Sequence, residues 1–307
     1  MKVFIVGGTG LLGSHITTQL LEKGHEVTLF SRHADAIPAY RTMSGVQLVN
    51  GSYYDEEALK KALPGHDACI NIVLTWGDSA RTMLDNDTRP CVMLMELAAQ
   101  VGIKSFVFVS STAALGEYRR DMDEGMISKP MEPPFDFYCA SKRATELFLL
   151  AQTYRCDMRC NIVRPGAFFG RPAVKGVRMH GNDIFTKLAR SIRDNEPVEI
   201  VENTGTQYLA VQDLACVVNA CLYGSMNREI YFVLSKIWYT HEQIAKAAIR
   251  IAGSKCDLVL LPNPEKDEPK LYKLDKIKNH FGFEFDAWPE IQGTLEYLIT
   301  VPESSDL

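Results

Sequence analysis

Residues 3–13, VFIVGGTGLLG, constrain the fold of this chain more than any other segment. Val3-Phe4-Ile5-Val6 is a short β-branched and aromatic run bounded by glycines, the pattern of a buried strand. Leu12, Ile16 and Leu20 then recur at four-residue spacing up to Gly24, which predicts an amphipathic helix from about Leu11 that stops at that glycine. Between the two, Gly8-Thr9-Gly10-Leu11-Leu12-Gly13 satisfies G-x-G-x-x-G, and Gly7, Gly10 and Gly13 satisfy the looser GxxGxxG. Residues without β-carbons permit a tight turn and let a pyrophosphate approach backbone N–H groups at a positive helix end. Glycine spacing alone is a weak signal, but strand, glycines and helix in that order are the context a dinucleotide-binding turn requires. Gly7, Gly10, Leu11, Leu12 and Gly13 are therefore the first candidate cofactor contacts.

Residues 26–30, EVTLF, read as a second strand, and the ribose of a bound dinucleotide lies at the end of such a strand. A carboxylate there would accept hydrogen bonds from a 2′-hydroxyl and repel a 2′-phosphate. This chain has Ser31-Arg32-His33 instead, and no acid until Asp35. The guanidinium of Arg32 is a planar, permanently charged fork for a phosphate, and Ser31 adds a hydroxyl. The alternative for Arg32 is a solvated side chain at the start of a loop. Ser31 and Arg32 join the cofactor candidates and set NADP(H) ahead of NAD(H) as the expected cofactor.

Further strands at 46–49, 68–74 and 106–109 alternate with helical segments at 56–63 and 87–101, the latter with Pro90 near its first turn. The alternation predicts an α/β fold, a Rossmann-type doubly wound parallel sheet covered on both faces, with ligands beyond the carboxyl ends of the strands. Ser110-Ser111-Thr112, directly after the fifth strand, fall on that side. Residues 117–136 lack periodicity and contain Pro130, Pro133 and Pro134, which suits the rim of a site. A helix at 138–154 follows, then a sixth strand at 159–164. A Gly-rich, basic segment at 170–182 reads as a substrate loop. Helices at 183–194, 213–223 and 240–252 and a last sheet strand at 230–234 complete the pattern, with a polar linker at 262–269 and a frayed tail at 302–307.

With 307 residues, 46% hydrophobic and 23% charged, the chain can form one large domain or a core domain with a smaller lobe. A net charge of −5 argues against a nucleic-acid partner. No apolar run approaches the ~20 residues that span a bilayer, and the N-terminus lacks the pattern of a signal peptide. The eight cysteines show neither metal nor disulfide spacing, so reduced thiols in a cytoplasmic protein and no metal site are expected.

Tyr138 and Lys142 lie four apart at the start of the 138–154 helix, so both project from one face. A phenol titrates near ~10 in water, and a neighbouring ammonium favours phenolate, which makes Tyr138 a usable acid or base toward a carbonyl or alcohol. Tyr272 and Lys276 repeat the spacing, so spacing alone decides nothing. Context separates them: Tyr138 belongs with the glycine turn and the strand ending in Ser110-Ser111-Thr112, whereas Tyr272 has no such partner in the sequence pattern.

Together, GGTGLLG, Asn86 ahead of the fourth helix, VSSTAALG at 109–116, YCASK at 138–142 and RPGAFFG at 164–170 resemble the extended branch of the short-chain dehydrogenase/reductase superfamily, the NAD-dependent epimerase/dehydratase family. The resemblance runs from Met1 to about Thr300. It implies Tyr138 as catalytic acid/base, Lys142 as the cation that lowers its pKa and holds the nicotinamide ribose, and Ser111, with Thr112 as fallback, as the hydroxyl on the reacting oxygen. It adds Pro165 to the cofactor contacts. It also implies a dinucleotide-binding domain at 1–170 to which 211–234 return, a smaller substrate lobe from 171–210 and 235–307, and a homodimer paired through the Tyr/Lys helix. The chain departs from the family where many relatives hold adenine with an Asp, having Gly51-Ser52-Tyr53, and where nucleotide-sugar enzymes often have an Arg, having Gln207. Arg32, with the missing cation at Gln207, ranks an NADP(H)-dependent oxidoreductase of a carbonyl or secondary alcohol, a sugar derivative included, first. A nucleotide-sugar epimerase or dehydratase with no net redox change comes second, and a non-catalytic NADP(H)-binding sensor third.

Overall fold

The computed structural model describes residues 1–118, 121–126, 128–179, 183–264, 269 and 271–300. The expected tail at 302–307, residues 265–268 of the linker and residues 180–182 of the basic loop lie outside the described residues.

Six strands follow one another along the first half of the chain: β1 (Lys2–Val6), β2 (Glu26–Ser31), β3 (Val46–Asn50), β4 (Ala68–Asn71), β5 (Ser105–Val109) and β6 (Arg159–Pro165). With Ile230–Val233 they form a seven-stranded sheet in the order Ile230–Val233, β6, β5, β4, β1, β2, β3. Every neighbouring pair is parallel. This is the expected Rossmann-type doubly wound sheet. Strand order runs one way from β1 to β3 and the other way from β4 to β6, so a crevice opens beyond Val6 and Asn71, where a doubly wound sheet binds its ligand.

Both faces are covered, which is why β1 and β5 read as continuous apolar runs rather than alternating ones. On one face α1 (Leu11–Glu22) buries Ile16 and Leu20 against Leu214 and Val218 of the Val211–Ala220 helix. Gln19 ties the two helices, donating to the Gln212 carbonyl and accepting from Asn219, each at 3.0 Å. On the other face Leu59, Leu94 and Leu149 come from helices Glu56–Ala62, Arg89–Gln100 and Asp136–Gln152. A separate apolar cluster joins Phe185, Leu188, Ile244, Ala248, Ile291 and Leu295 from helices Ile184–Arg193, His241–Ala252 and Trp288–Thr300. The parallel strand pair Val198–Val201 and Leu258–Leu261 flanks it.

Two elements differ from expectation for identifiable reasons. The fourth strand stops at Asn71, not at 74, because the Asn71 side-chain carbonyl captures the N–H of Val73 at 3.1 Å. The helix expected at 87–101 starts earlier and has three parts: Ala80–Met83, a π-turn at Leu84–Thr88, and Arg89–Gln100. Pro90 has no N–H for the Asn86 carbonyl, which instead accepts a hydrogen bond from Thr75 Oγ1 at 3.3 Å. Interruptions of this kind often coincide with functional sites.

Candidate active site

The sequence-identified residues meet at the carboxyl ends of the central strands. Gly7, Gly10, Leu11, Leu12, Gly13, Ser111, Tyr138, Lys142 and Pro165 all line one cavity of about 260 Å³. Ser31 and Arg32 line a second, of about 250 Å³, which shares Gly7, Val73 and Leu74 with the first. The two form a trough across the crevice between β1 and β4, from the end of β2 to Tyr138.

The glycine turn fits a dinucleotide pyrophosphate. Gly7 sits at φ +83°, a left-handed conformation that residues with side chains rarely adopt. A β-carbon on Gly13 would stand 2.2 Å from the Gly8 carbonyl oxygen, so the helix start is pressed directly against the turn. A β-carbon on Gly10 would meet nothing nearer than 3.8 Å, which leaves the turn open. No side chain caps the start of α1 and its first turn holds no acid. The unsatisfied N–H groups and the positive helix end are therefore free to face an anion. Gly13→Ala should cost about 1–3 kcal/mol of stability through overpacking against backbone and weaken dinucleotide binding together with it. Urea unfolding and a cofactor titration check this, and a variant as stable and as tightly binding as the parent would refute it.

At the Arg32 end the cavity is walled by Phe30, Gly51, Tyr53, Tyr54 and Thr75. Arg32 is the only charged residue among those described that line it, and the side chain is exposed.

At the other end Ser111, Tyr138 and Lys142 converge. Ser111 begins the short helical turn Thr112–Leu115, where its Oγ accepts the Ala113 N–H at 3.1 Å. This leaves the Ser111 hydroxyl hydrogen for Tyr138, with which it shares a hydrogen bond. The preceding Ser110 donates to Glu146 Oε1 at 2.6 Å, and Glu146 is gripped by Arg164 at 2.9 and 2.6 Å, which pins the ends of β5 and β6 beneath the site. Trp76 stacks on the Tyr138 ring at 4.5 Å between centroids. Lys142 lies on the same helix face, 1% exposed, with Nζ 5.6 Å from the centre of the Tyr138 ring.

A carboxylate that sequence reasoning missed completes the cluster. Asp87 Oδ1 lies 2.9 Å from Lys142 Nζ and accepts from Thr75 Oγ1 at 3.1 Å, while Oδ2 accepts from Ser141 Oγ at 2.9 Å. Asp87, not the neighbouring Asn86 singled out in the sequence, faces the lysine. The one mark of a break in the sequence is Pro90, three residues on from Asp87, and the π-turn Leu84–Thr88 that contains Asp87 lies just ahead of it. Although burial alone opposes the charge on Lys142, Asp87 and Tyr138 hold its pKa above the ordinary value. Burial likewise pushes the Tyr138 phenol up; Lys142 and Ser111 pull it back, and Asp87 and Tyr118 push it further up. The expected downward action of Lys142 on Tyr138 is present but outweighed, because the phenol is desolvated and Asp87 answers part of the lysine's field.

Tyr272 also departs from expectation. It stands beside the same Ser/Thr-bearing strand end, next to Thr112 and Tyr118. It packs edge-on to Phe232 at 4.8 Å and to Tyr118 at 6.1 Å. Its Lys276 turns elsewhere, 2.6 Å from Glu229 and over the ring of Tyr231. Thr112 is thus buried toward Tyr272 while Ser111 meets Tyr138. Gln207 is buried too; it donates to the Ser235 carbonyl at 3.0 Å and accepts the Tyr272 N–H at 2.7 Å.

Among the described residues no helix is long and apolar enough to cross a membrane, and no group of three or more His, Cys, Asp or Glu side chains could hold a metal.

Residues 3–229 match the model of the NAD dependent epimerase/dehydratase family. The chain is 29% identical over 264 residues, 85% of its length and 71% of the other's, to the photosystem II assembly factor Ycf39 of Synechocystis sp. (strain ATCC 27184 / PCC 6803 / Kazusa). It is 27% identical over 180 residues to a UDP-glucose 4-epimerase of Neisseria meningitidis serogroup B, a match that spans 53% of this chain and about half (51%) of that enzyme. Its fold matches the crystal structure of UDP-glucuronic acid 4-epimerase from Bacillus cereus in complex with NAD. The TM-score is 0.81 at 17% identity, with 97% of this chain and 98% of that one covered.

Proposed function

We propose, from the premise that this chain belongs to the NAD dependent epimerase/dehydratase family, that it is an NADP(H)-dependent oxidoreductase interconverting a carbonyl and a secondary alcohol. The observation that carries the reading is the shared cavity, in which the glycine turn and the Ser111–Tyr138–Lys142 cluster face one space. Bound nicotinamide dinucleotide would supply hydride transfer there. The protein's own part is to place and polarise the substrate oxygen. Ser111 is aimed at that oxygen and Tyr138 holds a proton for it, because a phenol pushed up by burial stays protonated at neutral pH. Lys142, fully charged beneath the ring, steadies the phenolate left after proton transfer and can reach the ribose hydroxyls of the cofactor.

Arg32 supports NADP(H) over NAD(H), since no acid among the described residues lines its cavity. Arg32→Ala should weaken NADPH binding at least tenfold more than NADH binding, given about 1.5–3 kcal/mol for a charge-assisted contact. Equal losses in parallel fluorescence titrations would refute the assignment. A second reading, an NAD-retaining nucleotide-sugar epimerase, is favoured by the likeness to such enzymes. Consumption of NADPH with added ketones or aldehydes supports the first reading. Retained NAD together with interconversion of UDP-sugars, without net redox change, supports the second.

A further inference from the structure

The substrate side of Tyr138 is bordered by large apolar groups left in water. Trp76 is 52% exposed and lies flat on Tyr138. Phe135, also exposed, meets the Trp76 ring edge-on at 5.6 Å. Tyr118, exposed as well, comes close enough to Tyr138 to act on its phenol. Contiguous exposed aromatic surface is unfavourable in water and marks a place where apolar surface is covered in use. Its position beside a proton-bearing hydroxyl pair says what covers it: the substrate.

Two cations that follow Trp76 in the chain have a carboxylate between them, and one amide is buried. Arg81 and Arg89, on the turns after Trp76, each pair with Asp85, at 3.8 and 3.6 Å. The Gln207 amide is spent on Ser235 and Tyr272 inside the fold. A diphosphate therefore finds little to hold it among these residues, whereas a flat ring finds Trp76 and Phe135 with faces and edges offered at the geometry aromatic pairs prefer.

We infer that the site takes an aromatic carbonyl compound, an aryl aldehyde or aryl ketone. Its ring lies in the Trp76–Phe135–Tyr118 mouth and its oxygen lies at Ser111 and Tyr138. This rests on the carbonyl reading of the site and narrows it to one substrate class.

The test uses 2-acetonaphthone as an aromatic probe, 2-butanone as an aliphatic one and UDP-glucose as a nucleotide sugar, with intact protein and saturating NADP⁺. Acetonaphthone should bind saturably by isothermal titration calorimetry, a readout that does not depend on Trp76. Its affinity should exceed that of butanone, read by competition, at least tenfold. Trp76→Ala should lose at least tenfold in acetonaphthone affinity, Trp76→Phe should keep most of it, and Phe135→Ala should lose part. Cofactor affinity, measured on every variant, shows that each is folded. Affinity for acetonaphthone that is unchanged in Trp76→Ala, or UDP-glucose displacing the probe at lower concentration than butanone does, would overturn the aromatic subsite. If NADPH is consumed with butanone while acetonaphthone fails to bind, the subsite falls and the oxidoreductase reading stands. If acetonaphthone binds through Trp76 but no carbonyl consumes NADPH, the oxidoreductase reading falls and the subsite stands.

Discussion

Tyr138→Phe is expected to lower kcat/KM for any carbonyl substrate by about 10²–10⁴-fold, the contribution of a positioned general acid, while the fold and cofactor site survive. The phenylalanine keeps the ring that Trp76 stacks on at 4.5 Å and that Lys142 lies beneath. Only the hydroxyl is lost, with its hydrogen bond to Ser111. A neutral hydrogen bond is worth ~0.5–1.5 kcal/mol, so cofactor affinity should change by at most about tenfold. The pH profile provides a second readout. Because Tyr138 acts in its protonated form in the reducing direction, activity should fall as pH rises through its raised pKa, and this limb should be missing from whatever activity the variant retains. A Tyr138→Phe protein with parental turnover would remove the catalytic assignment and leave a cofactor-binding protein. Ser111→Ala should fall in the same direction and less far, since Tyr138 still supplies the proton.

Much of this site was legible in the sequence because it is built from local signals. A strand, three glycines and a helix specify a turn within eleven residues (3–13), and Tyr138 and Lys142 share a face because a helix places i and i+4 together. A parallel sheet covered on both faces followed from the alternation of strands and helices. What escaped was non-local or depended on a break in regularity. Asp87 reaches Lys142 across 55 positions of chain, from within a π-turn ahead of Pro90 where the regular helical period does not hold. A periodic reading of 87–101 as uniform helix has no means of choosing between Asn86 and Asp87. Tyr272 looked isolated because its neighbours, Thr112, Tyr118 and Phe232, come from distant segments. Met122 and Tyr272 form an isolated parallel bridge that no strand-like run announces. Gln207 illustrates the same limit: as a letter it is a missing cation, and in the fold it is a spoke holding the Tyr272 segment against Ser235.

Asp87 carries the other large effect. Lys142 and Asp87 are both almost wholly buried, at 1% and 4% exposure, so the pair is retained at the cost of desolvating two charges. Removing one member leaves the other charged without a partner, and Asp87→Ala should lose about 3–5 kcal/mol of stability in urea unfolding at neutral pH. Lys142 has its pKa raised in the folded state. The stabilisation it contributes is thus complete below the ordinary lysine value of ~10.4 and is lost only as pH rises through the higher folded value. In Asp87→Ala burial acts on Lys142 without the carboxylate to offset it and lowers its pKa, so the difference between parent and variant should be largest near pH 6 and narrow as pH rises toward about 9. Asp87→Asn separates structure from charge. The amide oxygen can still accept from Lys142, and the side chain can keep contact with Thr75 and Ser141, so much less stability should be lost. The negative charge that pushes the Tyr138 phenol up is gone, however, and the lysine's field then acts on Tyr138 unopposed. The basic limb of kcat/KM should move to lower pH in Asp87→Asn, while Asp87→Ala shows a large loss of stability besides. An Asp87→Asn enzyme whose pH profile overlays the parent's would show that the carboxylate only fills space beneath the lysine and sets nothing at the phenol.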